Sequence, residues 1–467
     1  MRRAVALAAV WVILLAVPSA GGTVKVMVQL PGQPEVAAPS SDVLVSGNDV
    51  TFLRPNSYAL WYRIYENEGN DIGTITTDIE SGYTGRSLTI CVYDNGSAAR
   101  HVDSIDLSSV RLKNSRINNS YITGNIGSVK TFSGPDPDYG GVYFLIGGAI
   151  TGNWSIGSSS GIYADGGMGA GVTMTIWDDN EGTIRFGPYN NPQGAGLAGT
   201  MDFKDGFLGP VEVWGNLSGS ILSAYTTQAA ITINGNVTST GLIDLATYLG
   251  WTSPETQALT VTGDMAGTIR VGKDMKAHLT VEGNLEGPID LGTIEEEVCG
   301  AGGDEPCGTI ASNMELTVGR VMAPSGAVTV GGKLRGDIHV KQSVDSGRTI
   351  LVQGYADGIV YINDDYGAYD LNGTVRIDGD LLGTVWCRWN GVDGGDLYGT
   401  IDVNGNVGSE GKISVLNIRP GGSIDVFGSV SGEIRANLDV LSGTGDAIAT
   451  GPLTGTGIID IRGWEDA

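Results

Sequence analysis

Cysteine is scarce in this sequence, four residues in 467, so disulfides cannot be the framework of so long a chain. Histidine is scarcer, at three, and no H-E-x-x-H phrase or zinc-spaced Cys/His grouping occurs, which leaves the common zinc motifs out. Seven phenylalanines and a charged fraction of 17% suit neither a helical bundle nor a doubly wound enzyme. There is no Walker A loop. Basic residues are few: 27 Lys and Arg stand against 52 Asp and Glu, a formal charge of −25. A field of that sign repels nucleic acid and anionic lipid, leaving partners that are neutral, cationic or bridged by metal. Solubility of a long exposed surface explains the same charge without any partner.

Long apolar runs are missing too, except from Ala4 to Val17. That run follows Met1-Arg2-Arg3, precedes the small-residue exit Pro18-Ser19-Ala20, and is too short for a comfortable membrane span. Residues 1–20 therefore read as a signal peptide. The expected mature protein is exported and has no transmembrane helix.

What the chain does have is glycine, 74 of it, placed in a recurring phrase. VEVWGNLSGSI (211–221), ITINGNV (231–237), LTVTGDMAGTI (259–269), LTVEGNLEGPI (279–289) and VTVGGKLRGDI (328–338) repeat one pattern, and VRIDGDLLGTV (375–385), IDVNGNV (401–407) and IDVFGSVSGEI (424–434) continue it. The first glycines of these phrases recur mostly every 20 to 28 residues, the mark of a solenoid. Within them Val261, Val271, Val281 and Leu291, with Met265, Met275 and Leu285, show a finer period of about ten, so each coil holds at least two short strands. In LTVEGNL the residues Leu279, Val281 and Leu285 fall on one side and Thr280 and Glu282 on the other. One rung cannot bury its aliphatics alone. A stack of rungs can, at roughly 1.5 to 3 kcal/mol per fully buried aliphatic, while ladder hydrogen bonds join the coils. Gly283 and Asn284 both tolerate positive φ and so suit the bend, and stacked Asn side chains can hydrogen-bond along the axis.

The expected fold is all-β: a single-stranded parallel β-helix, or β-solenoid, over residues 71–467. Residues 21–70, with a proline-rich stretch and the aromatic run Tyr58 to Tyr65, are the expected N-terminal cap. An insert near 293–312 breaks the spacing, and its Cys299 and Cys307 bracket a flexible stretch, a pairing that export would permit as a local disulfide. Cys91 and Cys387 lie in apolar runs and read as small buried thiols.

With that repeat in hand, the chain resembles bacterial extracellular parallel β-helix proteins, the broad pectin-lyase-like group of surface adhesins, tailspikes and polysaccharide lyases or hydrolases. The resemblance rests on V-x-V-x-G-N-L-x-G-x-I and specifies architecture rather than one family. It implies a rigid surface rod, or a scaffold that binds or cuts polysaccharide along one face. Catalysis does not carry over by residue. The nearest phrase to the hydrolase motifs is Asn363-Asp364-Asp365, none of His101, His278 or His339 lies between glycines, and no acidic cluster is paired by sequence with a basic residue.

The chemistry-bearing clusters are acidic and aromatic. Asp178, Asp179 and Glu181, then Asp364, Asp365 and Asp370, then Asp393 and Asp396 place carboxylates within loop distance, as calcium requires. Each also reads as solvated turns of an acidic protein. In the enzyme alternative Asp364, Asp365, Asp178 and Asp179 are the candidate acids. Trp154, Trp177, Trp214, Trp386 and Trp389, with Tyr361, Tyr366 and Tyr369, are expected to face outward, and Trp386, Trp389 and Tyr366 are the candidate ligand-binding rings, because flat rings stack on sugars. Gly194 to Gly199 spells a dinucleotide fingerprint without its strand-to-helix context and reads as a turn, and Ser159, in a Gly-x-Ser-x-Gly phrase, reads as a loop serine. The first expectation is thus a noncatalytic surface, matrix or adhesin-like protein, binding polysaccharide or other surface components or copies of itself. A carbohydrate-active enzyme on the same scaffold is the alternative.

Overall fold

The computed structural model describes most of residues 24–461. Residues 1–23, 80–87, 95–100, 110–114, 132–140, 250–257, 292–314, 363–369, 388–394, 437–447 and 462–467, with breaks of one to four residues elsewhere, lie outside it. The described residues form strands, turns and bridges and no helix, wound as a parallel β-solenoid.

One coil shows the construction. The strand Leu259–Val261 is followed by a turn at Gly263, a single bridging residue Met265, the strand Thr268–Val271 and a second bridging residue Met275, before Leu279–Leu285 begins the next coil. Leu259 pairs in parallel with Leu279, and Ile269 with Ile289. The ten-residue period is therefore half a coil, one strand plus one bridging residue. Each coil contributes to two stacked sheets. Sheet I contains Val211–Val213, Ile231–Ile233, Leu259–Val261 and their partners. Sheet II contains Ser220–Ser223, Leu242–Leu245, Thr268–Val271 and theirs.

Alternation decides what is inside. Leu279, Val281 and Leu285 are fully buried, whereas Thr280 and Glu282 point out. The same pattern, repeated coil after coil, yields one continuous column of Val, Ile, Leu and Met. Upstream of Val211 the spacing loosens in sequence, yet the parallel ladders persist through register shifts at Ile90/Tyr93 and Val142/Tyr143. Parallel pairing starts with Asp49–Phe52 on Ile72–Thr77 and Trp61–Glu66 on Thr89–Asp94. Before it the pairing is antiparallel: Val24–Gln29 lies on Trp61–Glu66, and Val43–Ser46 on Asp49–Phe52.

The corner glycines serve a purpose other than the expected one. Gly215 does take a positive φ of 136°, but Gly235, Gly263 and Gly283 do not lie in that region. They are needed because coils meet backbone to backbone there: a Cβ on Gly283 would lie 2.6 Å from the carbonyl carbon and oxygen of Gly263. The residue after each glycine does join the coils. Asn236 donates its N–H to Asn216 Oδ1 (3.0 Å), Asp264 to Asn236 Oδ1 (2.9 Å) and Asn284 to Asp264 Oδ1 (2.8 Å).

Two other expectations need correcting. Trp154 does not face outward. It is 2% exposed, packs on Phe144 and donates its indole N–H to the Gly127 carbonyl, because the coil there has room for a large ring inside. Ser159 is no loop residue: it lies in the strand Ser159–Ala164, buried, with Oγ accepting the Gly161 N–H. Gly194 to Gly199 is a turn with no helix, as expected.

Candidate functional site

The outward positions of a solenoid line up in rows, one residue per coil, about 4.8 Å apart. The central row of sheet I runs in register through Arg185, Glu212, Thr232, Thr260, Thr280, Thr317, His339, Tyr361, Trp386, Ser414, Arg435 and Asp460. Three consecutive members are aromatic. His339 stacks on Tyr361 with centroids 5.7 Å apart and planes 9° apart, and Tyr361 on Trp386 at 6.1 Å and 10°. The strands Asp337–Val340, Ile359–Ile362 and Thr384–Cys387 hold them by burying their alternate residues. Beyond Trp386 the row continues with Ser414. The ladder is flanked in its row by the small hydroxyl side chains of Thr317 and Ser414, both buried.

Of the expected ligand-binding rings, Trp386 sits in this ladder, while Trp389 and Tyr366 lie outside the described residues. Tyr361 was expected to face outward and does. His339 matches no catalytic motif, and motif spacing alone gives it no role. Its signal is positional: DIHV, IVYI and TVWC put His339, Tyr361 and Trp386 at the same place in successive strands.

The acidic candidates disperse. Asp179, Asp364, Asp365 and Asp393 lie outside the described residues, as do Cys299 and Cys307. Asp370 and Asp396 are described, and both act at a coil corner. Asp370 Oδ1 accepts the Asp396 N–H at 3.1 Å, and the Asp396 carboxylate in turn accepts from Asn417 Nδ2 and Arg419 Nε, both at 2.5 Å. Burial pushes the Asp370 carboxyl above its ordinary range. His101 has a similar place, its Nδ1 accepting the Asn125 N–H at 2.8 Å. Asp178 lies in the turn after Thr173–Ile176 and Glu181 is exposed. Among the described residues no three His, Cys, Asp or Glu side chains converge as a metal site. Cys91 and Cys387 are buried free thiols, raised by burial to about 11 and about 12, so neither is a thiolate at neutral pH.

No known family, curated protein or solved structure matches this chain. The members of the central row between Glu212 and Arg435 carry no carboxylate, lysine or arginine. Such a row carries rings and hydroxyls, which suit a polyhydroxylated, uncharged ligand.

Proposed function

We propose that this protein is an exported, noncatalytic surface or matrix protein of the adhesin-like kind, which holds polysaccharide on the outward face of sheet I. The observation that carries the reading is the stack of His339, Tyr361 and Trp386. Rings already locked against one another on a rigid sheet lose little side-chain entropy when a ligand arrives, which favours binding. The acidic charge keeps a long stack soluble, and the acidic turns rather than this face offer the oxygen ligands that calcium takes.

The test is to incubate the full chain with a panel of neutral and acidic polysaccharides, with and without calcium, measuring binding, reducing ends and unsaturated uronides. The expected result is binding without cleavage, weakened at least about tenfold in Trp386→Ala. Cleavage that disappears in Asp364→Ala or Asp365→Ala would replace this reading with the carbohydrate-active enzyme. Absence of binding to every member of the panel would end it.

A further inference from the structure

A second aromatic cluster lies on the same face, nearer the N-terminal end. Tyr143 and Tyr163, on Val142–Ile146 and Ser159–Ala164, have ring centroids 6.0 Å apart. Both rings lie over Gly161, where a Cβ would come within 2.8 Å of the Tyr143 ring and 3.2 Å of the Tyr163 ring. The bare backbone lets the rings recline on the sheet. One coil on, Arg185 places its guanidinium carbon 5.1 Å from the centroid of Tyr163 and 5.8 Å from that of Tyr189. Tyr189 makes an edge contact with Trp214 at 5.1 Å and is itself 62% exposed.

The only full cation in this cluster is neutralised within it, since Arg185 Nη2 lies 3.0 Å from Asp165 Oδ1. Glu212, in register with Arg185, adds a carboxylate that accepts the Trp214 indole N–H at 3.3 Å, so the patch offers flat rings with no net positive charge, on a molecule whose overall charge disfavours polyanions. Between it and the His339 ladder the central row is Thr232, Thr260 and Thr280, half-buried hydroxyls in register, followed by the buried Thr317. From the strand before Trp214 to the strand of His339 there are five interstrand steps, about 24 Å.

We propose that the Tyr143–Trp214 cluster is a second glycan platform, and that one neutral polysaccharide chain laid along the solenoid axis occupies both platforms across the threonine row. The proposal rests on the glycan-binding reading of the ladder and adds its ligand class and its geometry. Two sites joined through one ligand bind it as a bivalent unit, so affinity depends on length: oligomers too short to cross about 24 Å engage one platform, and longer ones engage both.

The experiment is titration calorimetry of the full chain with manno- and cello-oligosaccharides of increasing length and with soluble glucomannan. The expected result is a rise in affinity of at least about tenfold once the oligomer spans both platforms. In Tyr189→Ala/Trp214→Ala the length dependence should vanish while short oligomers still bind through the ladder. In Tyr189→Phe/Trp214→Phe it should return, which separates ring surface from folding, and the melting temperature of each variant checks the fold. Length dependence that survives in Tyr189→Ala/Trp214→Ala overturns the second platform and leaves the ladder standing. Loss of short-oligomer binding in Tyr361→Ala/Trp386→Ala with no length dependence in the native chain does the same. No binding of any of these glycans by the native chain overturns the proposal, and acidic glycans bound instead would show that the neutral class was wrong.

Discussion

The two sheets share one interior yet differ outside. Along sheet II the central outward row reads Asp202, Leu222, Asp244, Arg270, Asp290, Thr329, Leu351, Arg376, Asp402 and Asp425. Along sheet I the central row from Thr232 to Trp386 is threonine and aromatic. Identical strand pairing is thus compatible with a charged central row and a nearly uncharged one, because the pleat fixes only which residues point inward. Charge on sheet II is partly paired, as in Lys204 with Asp202 at 2.6 Å and Arg376 with Asp378 at 2.7 Å, and such exposed pairs add little stability. The faces therefore differ in what they can meet rather than in how firmly they are built.

That contrast can be broken from the inside. Gly283→Ala puts a Cβ against the Gly263 backbone, at a corner belonging to both sheets. It should destabilise the protein by about 3 kcal/mol or more and disturb both faces alike, seen as a fall in melting temperature together with lost glycan binding. Asp396→Ala removes the acceptor shared by Asn417 and Arg419 at the later corners. A loss of about 2 kcal/mol in denaturant unfolding is expected, and a neutral result would show that the corner network is replaceable.

Smaller effects should separate the faces. Tyr361→Ala deletes the middle ring of the ladder and with it two stacking contacts, about 1 to 2 kcal/mol of stability, plus the proposed binding. Asp402→Asn on sheet II should change stability by less than about 0.5 kcal/mol and leave binding alone. It should, however, alter the pH response. Burial raises the carboxyls of Asp290 and Asp402, the latter also through Asp425. The native state then takes up these protons at a higher pH than the unfolded chain does. Their burden on stability is present at neutral pH and is relieved as pH falls through the raised values toward about 4. Melting temperature should rise on mild acidification, less steeply in Asp402→Asn, and a monotonic fall would show that other carboxylates dominate.

The interior was legible because its rule is local. Leu279, Val281 and Leu285 announce a buried side through alternation, and the half-coil period of Val261, Val271, Val281 and Leu291 follows from two strands per coil. The ladder was legible only in part. Ring stacking depends on which residues share a row, and rows are set by coil lengths that vary, twenty residues from Asp264 to Asn284 but twenty-eight from Asn236 to Asp264. His339 could be aligned with Tyr361 only once those lengths were known. Trp154 differs from the expectation for a related reason: nothing in its local sequence tells an outward ring from an inward one, and only the packing beside Phe144 shows that it is buried. Asp370 and Asp396 looked like metal ligands because proximity in sequence does not reveal that each carboxylate already answers a neighbouring coil.

The corner contacts have an architectural consequence. Since Leu259 and Leu279 occupy equivalent places twenty residues apart, as Asp264 and Asn284 do, the intervening segment is a self-contained increment: its removal or duplication would keep every surviving column in phase. Reach is consequently a quantity this design can change in discrete steps, without inventing a new interior, and the gap between two distant patches can be retuned by the same operation.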